Sequence, residues 1–515
     1  MATQIDALDQ SGSNTIRSIL ILAVCHVLTG FWPALPDLIA ADLPTPLETF
    51  LRTVDLNVNE SEVVQLADGG RATVKLLKVT ETRDSMRLAV RRAEVNVELN
   101  GQNVTLESGN YHLPINAAGV QVDCPVTKGY VTNSSQGNMW GLLKDARIRL
   151  WPAGSPWIEP GTFGYPLEQR WFASHTQMAN EPSYVDGGEA PSEKSIYYHY
   201  GLDSGGAEGL ITVIASTSGR VISSGTNILS GYADSPAKPR YDVVYVLDGR
   251  GWYYRYSHLQ TIDSAIHPGA EVTVGQKIGL LGKEGGSGGW SHLHFDITSR
   301  QPSGLWGIQE GYAFLWQASE QKYPSKIRAV ARPHQFVVTG EKVVLDGSKS
   351  WTSSGHIGGY DWTFTDGSTA TGATTERTYS QSGEYSEILK VTNDRGDIDY
   401  DFAIVLVIDK SSPDQLPPTI HPAFSPTMGI HPADPVTFKV RAFRTTFGNE
   451  IWDFGDGTEK VTVKSDGNVE MHAKEGYAVT QHRFAKAGNY LVRVERTNER
   501  GQKAIGHLHV LVEPR

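Results

Sequence analysis

The residues of this chain best placed to do chemistry are five: His199, Asp203, His258, His292 and His294. The densest group is Ser291-His-Leu-His-Phe-Asp296. On a strand, alternate side chains share a face, so His292 and His294 point one way and Leu293 and Phe295 the other. The two apolar residues can then anchor the strand in a core while both imidazoles line a groove. One ring nitrogen can bind a metal at about 2.0–2.1 Å, and its neighbour can hydrogen-bond a water or an oxyanion beside it. Upstream, His199-Tyr-Gly-Leu-Asp203 sets an imidazole and a carboxylate four residues apart around a glycine. Gly201, Gly205 and Gly206 disfavour a helix here, which leaves a bent strand or loop to aim both groups inward. Between the two motifs lies Tyr256-Ser-His258-Leu259. It follows a hairpin predicted from Tyr241-Asp-Val-Val-Tyr-Val-Leu247 and a turn at Asp248-Gly249, with His258 near the end of the second strand.

Each motif taken alone has a plainer explanation: a half-exposed strand with two histidines, a surface His–Asp pair, a polar strand end. The chain carries its own control in His507-Leu-His509, which fits simple alternation with Val510 and Val512 and has no companion motif. No function is assigned to it. What raises 292–294 above the control is the order of its neighbours: H-x-G-x-D at 199–203, Y-x-H-L at 256–259, V-x-x-G-Q-x-I-G at 272–279, a glycine-rich run at 282–289, then H-L-H-F-D at 292–296. This order resembles the lysostaphin/LytM family of zinc metallopeptidases over about residues 160–300. Ala215, Gly219 and Val221 also fit that family's second strand.

The resemblance implies a fold, a cofactor and roles. The fold is an antiparallel β-sheet with a groove floored by the metal site. His199, Asp203 and His294 would hold Zn2+, leaving a fourth position for water. His258 and His292 would flank it as the proton-handling and oxyanion-stabilising pair, their individual shares left open. The reaction would be peptide-bond hydrolysis by zinc-activated water, with peptidoglycan cross-link peptides as substrate. Residues 223–240 and 160–198 are candidate groove walls. In some relatives a preceding segment occupies the zinc, a part that His175 or Asn180 would play here.

The surrounding elements read as mainly β. Residues 42–155 alternate polar and apolar in short runs, with a hairpin turn at Asn100-Gly101 between Val95, Val97, Leu99 and Val104, Leu106. This is a β-rich N-terminal domain with no chemical motif. Residues 156–325 hold the peptidase-like region, with a helix predicted over 308–320. The remainder repeats itself: Trp362-Thr-Phe-Thr-Asp-Gly-Ser matches Trp452-Asp-Phe-Gly-Asp-Gly-Thr, and Tyr379-x-x-x-Gly-x-Tyr385 matches Phe484-x-x-x-Gly-x-Tyr490. Thr392-Asn-Asp-Arg-Gly396 likewise matches Thr497-Asn-Glu-Arg-Gly501. The offset grows from 90 to 105, so the second copy carries 15 extra residues. These repeats, 326–410 and 411–515, resemble polycystic-kidney-disease (PKD) domains, which implies two immunoglobulin-like β-sandwiches. Their aromatics read as core rather than as a sugar platform, and a Ser/Pro-rich linker at 411–418 separates them.

A formal net charge of −11 argues against a nucleic-acid partner, which would favour a basic stripe. Two cysteines, Cys25 and Cys124, exclude a disulfide framework and a cysteine-rich metal site. Residues 19–32 (ILILAVCHVLTGFW) follow Arg17 and read as a signal-peptide core, with cleavage after Ala41. They are too short for a comfortable membrane span, and no other run is a candidate. The expectation is therefore a bacterial protein exported to the periplasm, envelope or exterior, with no membrane span in the mature chain. A cell-surface polysaccharide or protein is the expected partner of the repeats. The alternatives are a zinc endopeptidase acting on a protein substrate, and a non-catalytic LytM-like envelope-binding or adhesion protein.

Overall fold

The computed structural model describes residues 44–109, 111–170, 177–178, 196–446, 448–465 and 476–515. The predicted leader at 1–41, His175 and Asn180 lie outside the described residues. The fold is mainly β, as the alternation predicts. Among the described residues no helix is long and apolar enough to cross a membrane.

The N-terminal region packs two four-stranded antiparallel sheets on each other. One contains the predicted hairpin, Val90–Leu99 paired with Gln102–Glu107. Asn100 and Gly101 both take positive φ at its turn, as a two-residue hairpin with the twist of its strands requires. Val95, Val97 and Leu99 point into a core shared with Val122, Ile148 and Leu150 of the other sheet. Cys124 is buried there, and burial pushes its thiol up to about 12, so it is an inert core residue.

The central sheet is nine-stranded and antiparallel. Its site-bearing strands are β1 (Leu202–Gly205), β2 (Gly219–Ser224), β3 (Val244–Leu247), β4 (Tyr253–Ser257) and β5 (His292–Arg300). They lie in the order β2-β3-β4-β5-β1. Leu293, Phe295 and Ile297 of β5 enter a large core with Leu202, Val244, Val246, Tyr254 and Tyr256. That core also takes in Leu51, Tyr111 and Trp151, so the N-terminal region and the central sheet share one hydrophobic interior.

The predicted helix is present but starts later, as α1 (Tyr312–Lys322). Residues 306–308 instead form a strand beside β5, and the Glu310 carboxylate accepts a bond from the Tyr312 backbone N–H at 2.7 Å, closing the helix start.

The two repeats are β-sandwiches whose cores hold Trp362 and Phe364 in the first and Trp452 and Phe454 in the second. Tyr379 and Phe484 are buried as read, whereas Tyr385 and Tyr490 are only partly covered. The second copy's hairpin strand Val461–Ser465 is longer than its counterpart Thr369–Thr371 in the first. The two copies are not merely tethered. Strand β6 (Gly383–Asn393) pairs antiparallel with β7 (Ile398–Ile408) in the first. The start of β6 also pairs in parallel with β9 (Lys503–Val512) of the second, which joins both into one nine-stranded sheet. Strand β8 (Thr419–Ser425) opens the second sandwich and faces the central domain.

Candidate metal centre

Register places the site. On β5, His294 lies opposite Asp203 of β1 on one side and Ser257 of β4 on the other. The next groove-facing residue, Asp296, lies opposite Arg255. His199 reaches the same point because Gly201 takes φ +79° and turns the chain between it and β1. A Cβ at Gly201 would stand 2.6 Å from the Phe295 carbonyl oxygen, so this turn also demands a residue without a side chain.

Three ligand-type atoms converge there: His199 Nε2, Asp203 Oδ1 and His294 Nδ1. They are separated by 3.1 Å (His199–His294), 3.1 Å (His199–Asp203) and 2.9 Å (His294–Asp203). All three residues are buried. Tetrahedral ligands at about 2.0–2.1 Å from a zinc ion stand roughly 3.3 Å apart, close to this triangle. The chemistry of the donors agrees. His294 Nε2–H donates to Asp296 Oδ2 at 3.0 Å, and Nδ1 faces Asp203 Oδ1 at 2.9 Å, so a proton or a cation must stand between that nitrogen and the carboxylate. An acceptor set at this separation needs a cation or proton between its members, and two imidazoles with one carboxylate suit zinc. Arg255 Nη1 in turn donates to Asp296 at 3.3 Å, completing an Arg–Asp–His chain that orients the ring.

Burial works to raise the Asp203 carboxyl, but the His199 and His292 imidazoles and bonds from His199 and His294 hold it well below the carboxylate range. For His294, burial disfavours the charge, yet bonds to Asp203 and Asp296 outweigh it and raise the ring's value.

The other two predicted residues stand beside this triangle. His292 Nδ1–H donates to the Trp290 carbonyl at 3.0 Å, which leaves the lone pair on Nε2, 3.3 Å from Asp203 Oδ2. His258 follows β4 directly with φ +70°, an unusual conformation for a residue with a side chain. Its backbone N–H donates to Asp242 Oδ2 at 3.0 Å and its Nδ1–H to the Glu284 carbonyl at 2.6 Å, so Nε2 carries its lone pair too. The His258 and His292 rings lie 4.6 Å apart between centroids. Burial lowers both.

All five residues singled out in the sequence thus meet at one place. Sequence reasoning assigned no role to Asp296, Arg255, Asp242 or Trp290. Asp296 had a usable signal, since it shares the alternating face of His292 and His294. The others are visible only once strands are paired. A cavity of about 370 Å3 opens on the site, lined by His258, His294, Tyr200, Arg240 and Arg255 and, from the N-terminal region, Ser135 and Gln136.

Comparison with known proteins gives a family for each of three segments. Residues 197–303 match peptidase family M23, and residues 327–405 and 423–507 each match the PKD domain. Collagenase ColA of Clostridium perfringens is 30% identical over 82 residues, a stretch covering 16% of this chain and only 7% of the collagenase. The PKD1 domain of the Vibrio cholerae metalloprotease PrtV is 32% identical, with 16% of this chain and 95% of that one covered and a TM-score of 0.14. The catalytic domain of the prophage-encoded M23 protein EnpA from Enterococcus faecalis is 16% identical, with 28% and 93% covered and a TM-score of 0.19. The chain therefore carries a peptidase domain of family M23 at residues 197–303, followed by two PKD domains.

Proposed function

We propose that this protein is an exported zinc endopeptidase that hydrolyses peptide bonds in peptidoglycan cross-links. The observation that carries the reading is the convergence of His199 Nε2, Asp203 Oδ1 and His294 Nδ1 within 3.1 Å of one another, beside two further imidazoles. His199, Asp203 and His294 are the proposed zinc ligands, and His258 and His292 the proposed catalytic pair. Bound zinc would polarise the scissile carbonyl and make a water acidic enough to attack near neutral pH.

The chain's own groups do the rest. Asp296 and Arg255 keep His294 in the tautomer that presents Nδ1. The carbonyls of Trp290 and Glu284 keep His292 and His258 with Nε2 unprotonated and turned to the same space. Either nitrogen can take the proton of the attacking water; the N–H so formed supports the oxyanion and then passes the proton to the departing amine. The cavity of about 370 Å3 beside them is where the substrate peptide would lie. The PKD domains support a setting outside the cytoplasm, where such modules would hold the enzyme to a surface polysaccharide or protein.

The test is digestion of purified sacculi by the full chain, with and without chelator and with zinc content measured. Release of cross-link fragments that stops on chelation and returns with zinc is expected. Stoichiometric zinc with cleavage confined to unfolded protein substrates would replace the wall substrate by a protein one. Absence of bound zinc would overturn the reading.

A further inference from the structure

We propose that the second PKD domain is part of the working active site, with His421 and Trp290 acting as positioning residues for the His292 imidazole. The proposal rests on the peptidase reading of residues 197–303.

His292 is delivered by a weak element. The run 282–289 holds five glycines and leads directly into Trp290 and β5. Glycine-rich chain loses much entropy when ordered, so a ring placed at its end needs restraint from elsewhere. Part of that restraint is Trp290. Its indole lies on the His292 ring at 3.7 Å between centroids and 19° between planes, and its carbonyl accepts the His292 Nδ1–H bond. One residue thus fixes both the plane and the tautomer of the imidazole.

Trp290 is held in turn from the second sandwich. His421 of β8 stacks on the indole at 5.0 Å and 20°, and Phe443 of the adjoining strand meets His421 edge-on at 5.3 Å. The stack therefore runs His292, Trp290, His421 across the domain boundary. The beginning of the glycine run is pinned by the same domain. Lys283 forms a buried ion pair with Glu208. Lys439 of the second sandwich donates to the Glu208 carbonyl at 3.1 Å, and Lys283 and Lys439 lie over the Tyr477 ring at 5.5 and 4.5 Å. Both ends of the glycine run are thus clamped against one rigid β-sandwich. Misplacing a reacting group by about 1 Å can cost a hundredfold in rate, so a ring set by such a clamp depends on it.

The experiment uses the full zinc-loaded chain and two readouts. The first is carbethoxylation of His292 by diethyl pyrocarbonate, followed by peptide mass spectrometry with exposed His356 as internal reference. The second is the rate of sacculus hydrolysis. His421→Leu keeps bulk but removes the aromatic face, and His421→Phe restores it. For His421→Leu we expect modification of His292 to rise and hydrolysis to fall by about tenfold, with zinc content and melting temperature unchanged. His421→Phe is expected to recover both. Modification rates equal within about twofold in wild type and His421→Leu would overturn the proposal, whatever the hydrolysis rate does. If wild type cleaves no sacculi, the peptidoglycan reading fails while the modification comparison still decides this one.

Discussion

At the scale of single residues, the site divides into groups that would hold an ion and groups that would work beside it, and substitution separates them. His294→Ala removes the atom shared by two edges of the ligand triangle, so loss of zinc and of hydrolysis together is expected. Atomic absorption alongside an activity assay measures both, and retained stoichiometric zinc would count against the ligand role. His292→Ala leaves the triangle intact. Bound zinc with turnover reduced by about 10²–10⁴-fold is expected from the same pair of measurements, and near-normal turnover would remove His292 from the mechanism. The five residues were legible because their types and order are distinctive and because alternation on a strand fixes which of them share a face. Arg255 and Asp242 were not legible. An arginine or aspartate on a short strand has many structural uses, and only the register that sets Arg255 across from Asp296 gives it one here.

At the scale of elements, the site depends on the bend that joins His199 to β1. Ala at position 201 would need φ +79° and would press its Cβ to within 2.6 Å of the Phe295 carbonyl oxygen and 2.8 Å of the Asp296 Cβ. The expected result of Gly201→Ala is a stability loss of about 1–3 kcal/mol with weakened zinc affinity, read by urea unfolding and zinc titration. A variant as stable as wild type would show that the bend can relax. Element types were readable from sequence wherever polar and apolar residues alternate, as at 90–107 and 292–297. Boundaries were less so. The helix expected from 308 begins at Tyr312 because residues 306–308 add a strand to β5, a competing use that helical periodicity does not reveal.

At the scale of the whole molecule, the sequence showed two repeats and a linker but not their union. His507 and His509, left without function by sequence reasoning, are buried where the sandwiches meet. His507 stacks on Phe402 at 5.5 Å, and His509 Nδ1 lies 3.5 Å from Asp399 Oδ1. Nothing in an H-L-H triplet distinguishes a strand face that waits for a neighbouring domain from one that meets water. Burial, with Arg493 adding to it, depresses His507 to about 3. An unfolded chain takes up this proton near the ordinary histidine value of about 6.5, while the native state refuses it. Stability from this group is therefore complete above that value and is lost as pH falls toward 3. Urea midpoints are expected to drop between pH 7 and pH 4, and to drop less in His507→Leu. An equal drop would relieve His507 of the effect. The parallel pairing of Glu384 with Ala504 carries one more consequence. During synthesis the ribosome must add the intervening stretch, which at about 5–20 residues per second takes roughly 6–24 s. For that interval the first repeat exposes an unsealed edge, so a nascent chain of this protein presents a temporary docking line for chaperones or for its own neighbours on a polysome.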